Sequence, residues 1–120
     1  MALFTGINVV SIEVPDLEGA RRFYGGVLEL GEPSYDLAHL GWIEWPFPDK
    51  PTGLSVTQVG PDWRPHHNVT VVLDVDDCYR MREVLLAKGV RCDEPVQVPG
   101  VVTYCSFYDP FGNRLQMVSA

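Results

Sequence analysis

Apolar side chains along this chain fall into two alternating periods. Val9-Val10-Ser11-Ile12-Glu13-Val14 is rich in β-branched residues, which suit a pleated, half-buried strand, and it runs into Pro15-Asp16. From Leu17 the spacing changes: Leu17, Ala20, Phe23, Tyr24, Val27 and Leu28 approach an i, i+3, i+4, i+7 pattern, which predicts a helix over 17–28. Asp16 stands at its N-cap, where a short carboxylate can accept the free N–H groups of the first turn. Gly25 and Gly26 predict that this helix frays or stops near them. Strand-like segments follow at about Glu32–Leu37, Leu40–Trp45 and Leu54–Val59, with a Pro-rich turn at Pro46–Pro51.

The same order then recurs. A shift of 61 residues lays Val9–Asp16 on Thr70–Asp77, so both segments are β-rich and both end in aspartate. Glu13 and Asp74 take equivalent places. Asp77 is the second N-cap, Met81, Val84, Leu85 and Lys88 form the second helical stripe, and Gly89 is its C-terminal stop. Strands are expected at about Arg91–Gln97, Val101–Tyr108 and Arg114–Val118, the last after the turn-forming run Asp109-Pro110-Phe111-Gly112-Asn113. The pattern predicts an α+β fold of two tandem βαβββ modules, about 5–60 and 66–119, in one domain over 1–120. Gly60–Pro65 is the expected linker.

Composition narrows the partners. Nine basic residues against sixteen acidic ones give a net charge of −7, which argues against nucleic acid, because a phosphate backbone demands a basic footprint. No apolar run approaches the roughly 20 residues that cross a bilayer. MALFTGINVV has no basic segment ahead of an apolar one, so no signal peptide is read and a cytoplasmic protein is expected. Cys78, Cys92 and Cys105 form no CxxC pair and read as reduced thiols.

Val14-Pro15-Asp16-Leu17 with Arg22-Phe23-Tyr24 and Val27-Leu28, then Val75-Asp76-Asp77, Lys88-Gly89-Val90 and Tyr108-Asp109-Pro110-Phe111-Gly112-Asn113-Arg114-Leu115-Gln116, resemble the vicinal oxygen chelate superfamily. That superfamily holds glyoxalases, bleomycin-resistance proteins and extradiol dioxygenases. The resemblance spans essentially the whole chain. It implies curved sheets around a cavity, commonly with sheet edges shared between chains, so a homodimer is expected.

Catalytic relatives hold a divalent metal through His and Glu on the first and last strands of each module. Carried over, those positions fall on Val9, Thr70 and Gln116 and, through an equivalence of Gly53 with Gly112, on about Thr57. None is His, Asp or Glu, so the resemblance predicts no metal and no cofactor at the usual place. His66 and His67 lie three to four residues ahead of Thr70, where an unusual metal site is an open alternative to an edge or cavity-mouth role.

Side chains two apart share a strand face, so the candidate cavity face comprises Val9, Ser11 and Glu13, then Thr70, Val72 and Asp74, with Ser55, Thr57, Arg114 and Gln116. Glu13 and Asp74 either attract a cationic group, act as acid and base, or are solvated strand ends paired with Arg114 or another arginine. Trp42, Trp45, Phe47 and Trp63 supply flat faces for stacking. Trp42 and Trp45 differ by three and should face opposite sides, one of them core. Trp63, in a proline-bounded loop, serves either a ligand or dimer contact or simple packing.

The residues singled out for ligand binding are therefore Ser11, Glu13, Trp42, Thr57, Trp63, Thr70, Asp74, Arg114 and Gln116. The leading expectation is a metal-independent binder of a small molecule, cationic or aromatic and of the antibiotic type. The alternative is a lyase, isomerase or dioxygenase-like enzyme working through an unusual metal site or through Glu13 and Asp74. A third is an interaction module with a vestigial cavity.

Overall fold

A computed structural model describes residues 2–120. The chain divides into two compact units, Met1–Trp63 and Arg64–Ala120, with the boundary inside the proline-bounded linker. Each unit is a four-stranded mixed sheet with one helical segment, an α+β arrangement that matches the two predicted modules.

In module one, β1 (Val9–Val14) runs parallel to β4 (Lys50–Gln58), which is antiparallel to β3 (Trp42–Phe47), which pairs β2 (Tyr35–Leu37). The sheet order is β1-β4-β3-β2. The parallel β1–β4 pair needs a crossover, and the helical segment that begins at Leu17 lies within it. One face is the core: Val14, Ile43, Trp45, Leu54 and Val56 are buried with Leu17, Ala20, Phe23 and Tyr24 of the helix.

The helix differs from the expected one. Only Leu17–Ala20 (α1) is α-helical, and Arg21–Val27 continues as a π-helix that stops just past the glycines, at Val27. Leu28 N–H reaches back five residues to the Phe23 carbonyl at 2.8 Å. The wider winding lets adjacent Phe23 and Tyr24 both turn inward, their rings edge-to-face at 5.0 Å. At Gly25 the segment comes close to the core, where a Cβ would lie 3.4 Å from the Trp45 indole nitrogen. Asp16 holds the N-cap position, but its side chain makes no capping bond. A 3₁₀ turn at Ala38–Leu40 takes the place of the predicted start of β3, which runs instead to Phe47. Phe47 pairs Lys50 across Pro48-Asp49, so the hairpin turn is tighter than Pro46–Pro51.

Module two repeats the plan with β5 (Val71–Asp74), α2 (Cys78–Ala87), β6 (Val96–Val98), β7 (Val102–Tyr108) and β8 (Arg114–Ser119), in the order β5-β8-β7-β6. Here the cap forms as expected, with the Asp77 carboxylate accepting from Tyr79 N–H at 3.0 Å and Arg80 N–H at 3.3 Å. The predicted strand at Arg91–Gln97 shrinks to β6 and an isolated bridge between Cys92 and Phe107. Its core is Cys78, Leu85, Val90, Cys105, Phe107, Leu115 and Met117.

Candidate functional site

Strand register sorts the expected site residues onto the sheet faces turned away from the helices. In module one two rows cross the sheet: Tyr35–Glu44–Ser55–Ser11, and Leu37–Trp42–Thr57–Glu13. Paired residues point to the same side, so these side chains form one surface. Ser11 and Thr57 hydroxyls are hydrogen-bonded at 2.6 Å. Trp63 folds back from the linker, its indole N–H donating to Glu13 Oε1 at 3.2 Å. Trp42 lies beside Tyr35, ring centroids 6.1 Å apart and tilted 30°. Trp45 takes the opposite face and is fully buried, so it is the core tryptophan of the pair.

Glu44 completes this surface and is absent from the residues singled out by sequence. Two residues from Trp42 on one strand, it shares that face by alternation alone, and alternation is the signal that identifies it. Its carboxylate lies over Gly53, where an added Cβ would stand 2.7 Å from Oε2. Beside it the Ser55 hydroxyl is fully enclosed with no hydrogen-bond partner. The surface is thus aromatic at one edge, hydroxylic in the middle, and carries two carboxylates. Its electrostatic setting agrees, since residues 1–63 hold three basic side chains against nine acidic ones.

Module two gives a different surface. Val72 pairs Gln116, which pairs Ser106; Asp74 pairs Val118, which pairs Tyr104; Arg114 pairs Tyr108. Arg114 Nη2 donates to Thr70 Oγ1 at 3.0 Å, and Gln116 Nε2 to Ser106 Oγ at 3.1 Å. Asp74 is exposed. At the far edge the Arg91 guanidinium stacks on the Tyr108 ring at 3.9 Å from its centroid. The Tyr108 hydroxyl donates to Asp93 at 2.7 Å, and that bond raises its pKa above the ordinary phenol value. Residues 64–120 are nearly balanced, with six basic against seven acidic side chains.

The pairing also corrects one equivalence. Ser11 opposes Ser55 as Val72 opposes Gln116, so the counterpart of Gln116 is Ser55 and not Thr57. Two residues along a strand keep the same face, and the position is one of neutral hydroxyl in either case. The donor set does not fit the divalent metal of catalytic relatives. Val9 cannot ligate, Ser55 and Gln116 are neutral, and Thr70 already accepts from the Arg114 guanidinium, whose positive charge opposes a cation beside it. His66 and His67 are exposed. Among the described residues no group of three or more His, Cys, Asp or Glu side chains could hold a metal ion.

The three cysteines are free thiols. Cys78 and Cys105 are buried, and burial pushes the Cys105 thiol up to about 11, away from the reactive thiolate. Cys92, half-buried, is shifted the same way.

A family model describing the glyoxalase/bleomycin resistance protein/dioxygenase superfamily matches residues 6–117. The chain belongs to that superfamily. Among solved structures, an integron cassette protein, HFX_CASS4, from the mobile metagenome of Halifax Harbour sewage outfall is 20% identical, with a TM-score of 0.81 over 98% of this chain and 100% of that one. TnmS3, an antibiotic binding protein from Streptomyces sp. CB03234, is 23% identical with a TM-score of 0.80, covering 99% and 98% of the two chains. A glyoxalase family protein from Bacillus anthracis is 20% identical with the same TM-score, covering 99% and 98%. At these identities the likeness establishes the fold. No curated protein matches. No helix among the described residues is long and apolar enough to cross a membrane.

Proposed function

We propose that this superfamily member is a metal-independent small-molecule binding protein, and that the sheet face of module one turned away from its helix receives a cationic aromatic group. The observation that carries the reading is the Trp63–Glu13 pair. A tryptophan from the linker is hydrogen-bonded to a carboxylate on a face that also presents Trp42, Tyr35 and Glu44. Aromatic rings attract a cation through their faces, and the two carboxylates add charge complementarity. The antibiotic binding protein TnmS3, which shares this fold, supports the reading, and the ligand would be of that broad class.

Titration with a panel of cationic aromatic compounds, followed by intrinsic tryptophan fluorescence and calorimetry, tests it. Saturable quenching is expected, with neutral aromatic analogues binding more weakly. Glu13→Gln should weaken the cationic ligands about three- to tenfold, roughly 1 kcal/mol, and leave neutral ones nearly unchanged. A panel in which no cationic aromatic compound saturates the signal, or a Glu13→Gln variant that binds cations as tightly as the parent, removes the proposal.

Metal independence has its own check. Elemental analysis of dialysed protein, repeated after incubation with nickel, zinc, manganese and iron(II), should find far less than one metal per chain. Near-stoichiometric metal would show that other residues, with His66 and His67 first in question, build a site, and would put an enzyme first.

A further inference from the structure

The two modules fill the same place in their sheets with opposite charges. In module one, Gly53 leaves a gap on the sheet face and the Glu44 carboxylate lies over it. In module two the pairing frame puts Arg114 where module one has Gly53, one position before the Val71–Leu115 pair that answers Val10–Leu54. The residue answering Glu44 is Ser106, since Ser106 pairs Gln116 as Glu44 pairs Ser55. The module that gains the guanidinium has therefore lost the carboxylate that the other module keeps beside this spot. Ser106 does not replace it, because its hydroxyl is engaged by Gln116.

Arg114 is consequently a half-buried cation without an anionic partner among the described residues. Its hydrogen bond goes to a neutral hydroxyl, Thr70 Oγ1. Its Nε is enclosed with no acceptor, and among the described residues Nη1 has no hydrogen-bond partner. The nearby carboxylates are committed elsewhere. Asp93 accepts from Tyr108, and Asp109 binds its own turn through Phe111 and Asn113. Asp74 lies four residues from Thr70 on the same extended segment, roughly 13 Å along it. Arg91, stacked on Tyr108, adds a second positive charge on the same side. Withdrawing a guanidinium from water without a counter-charge is unfavourable, and buried arginines in folded proteins are nearly always matched by an acid.

We propose that Arg114, held by Thr70, is a carboxylate-binding subsite on module two, distinct from the cation-attracting face of module one. The Nη1–Nη2 edge presents two parallel donors, because Nη2 keeps a second proton beyond the one given to Thr70, and a carboxylate matches that spacing with two oxygens. Thr70 fixes the plane of the fork. Val72, 51% exposed on the neighbouring strand, offers an apolar surface for the body of an aromatic acid. The ligand class is therefore a monocarboxylate with an apolar body.

The test uses the full-length protein and benzoate as the probe. Arginine side-chain Nε–Hε resonances are followed by NMR, that of Arg114 being assigned by its loss in Arg114→Lys. Benzoate should shift this resonance saturably, while benzamidine, and sodium chloride at equal ionic strength, should not. Arg114→Lys keeps the charge but loses the fork, and should weaken benzoate at least tenfold as read by backbone amides of β5 and β8. Thr70→Val, which leaves the guanidinium in place, should weaken it severalfold and serves if the arginine variant fails to fold. An unmoved Arg114 resonance, an equal response to chloride, or full benzoate affinity in Arg114→Lys overturns the proposal. None of these results bears on Trp63 quenching by cationic compounds, so the two readings stand or fall separately.

Discussion

Trp45→Ala is expected to destabilise module one by about 3–5 kcal/mol, the range for deleting a large buried aromatic side chain. Trp45 is the largest fully buried side chain among the described residues. Its ring lies 6.0 Å from that of Tyr24, its indole N–H donates to the Gly31 carbonyl at 3.1 Å, and the Gly25 backbone closes over it. Truncation opens a cavity between sheet and helix and removes the indole donor from the Gly31 carbonyl. It also removes the surface against which the π-helical segment is wound. Against a total stability of about 5–15 kcal/mol for a small domain, a loss of this size leaves a large fraction unfolded or a much lower urea midpoint. Trp45→Phe, which keeps a ring but loses the N–H, should cost less, about 1–2 kcal/mol. Equilibrium urea unfolding followed by circular dichroism measures both. A Trp45→Ala midpoint within error of the parent would mean that the core does not rest on this residue.

The functional consequence follows from register. Trp42 and Glu44 share β3 with Trp45 and face the other way, so the core side of the strand holds the candidate ligand side in place. Trp45→Ala should therefore lose ligand-induced quenching in step with lost structure, whereas Glu13→Gln loses affinity for cations with stability kept. That contrast separates a residue that supports the site from one that belongs to it.

Most of this architecture is legible in the repeat. Local pattern carries it: β-branched runs, a helical stripe after an aspartate, and strands that close each module, each appearing twice. What escapes the pattern is non-local. The π-wound segment Arg21–Val27 packs against the Trp45 indole, twenty residues beyond Gly25, and no local preference of Arg-Arg-Phe-Tyr-Gly-Gly-Val announces that winding. The match of Gln116 to Ser55 requires strand pairing, since an equivalence built on glycines places it two residues late. Glu44 follows from Trp42 by alternation, but it has no repeated counterpart to mark it, unlike the acids Glu13 and Asp74. Of those two, Glu13 meets Trp63, while Asp74 is an exposed residue opposite Val118. Among the polar residues expected to line the cavity, Ser11 bonds Thr57 within module one, and Thr70 bonds Arg114 and Gln116 bonds Ser106 within module two.

Asp109→Ala should be the most damaging polar substitution, at about 2–4 kcal/mol, because it strands several donors at once in a buried turn. The Asp109 carboxylate is nearly enclosed. Oδ1 accepts from Phe111 N–H at 3.0 Å and Asn113 N–H at 2.9 Å, and Oδ2 accepts from Asn113 Nδ2 at 2.8 Å. Gly112, at φ 94°, lets the chain reverse between them, and a Cβ there would also press on Pro65 at 3.3 Å. The reversal delivers Arg114 and Gln116 to their places on β8, so the turn fixes the register of the strand that carries the proposed carboxylate subsite. Asp109→Asn keeps one acceptor oxygen for the backbone amides but can set an amide N–H₂ against Asn113 Nδ2, and should cost about half as much. Urea unfolding gives the energies, and the β8 amide resonances report register. If the turn alone positions Arg114, Asp109→Ala should disperse the β8 resonances and abolish the benzoate response, while the module one face continues to bind cationic compounds. Unchanged β8 resonances in a variant that still lost stability would assign Asp109 to the fold and leave the placement of Arg114 to Thr70.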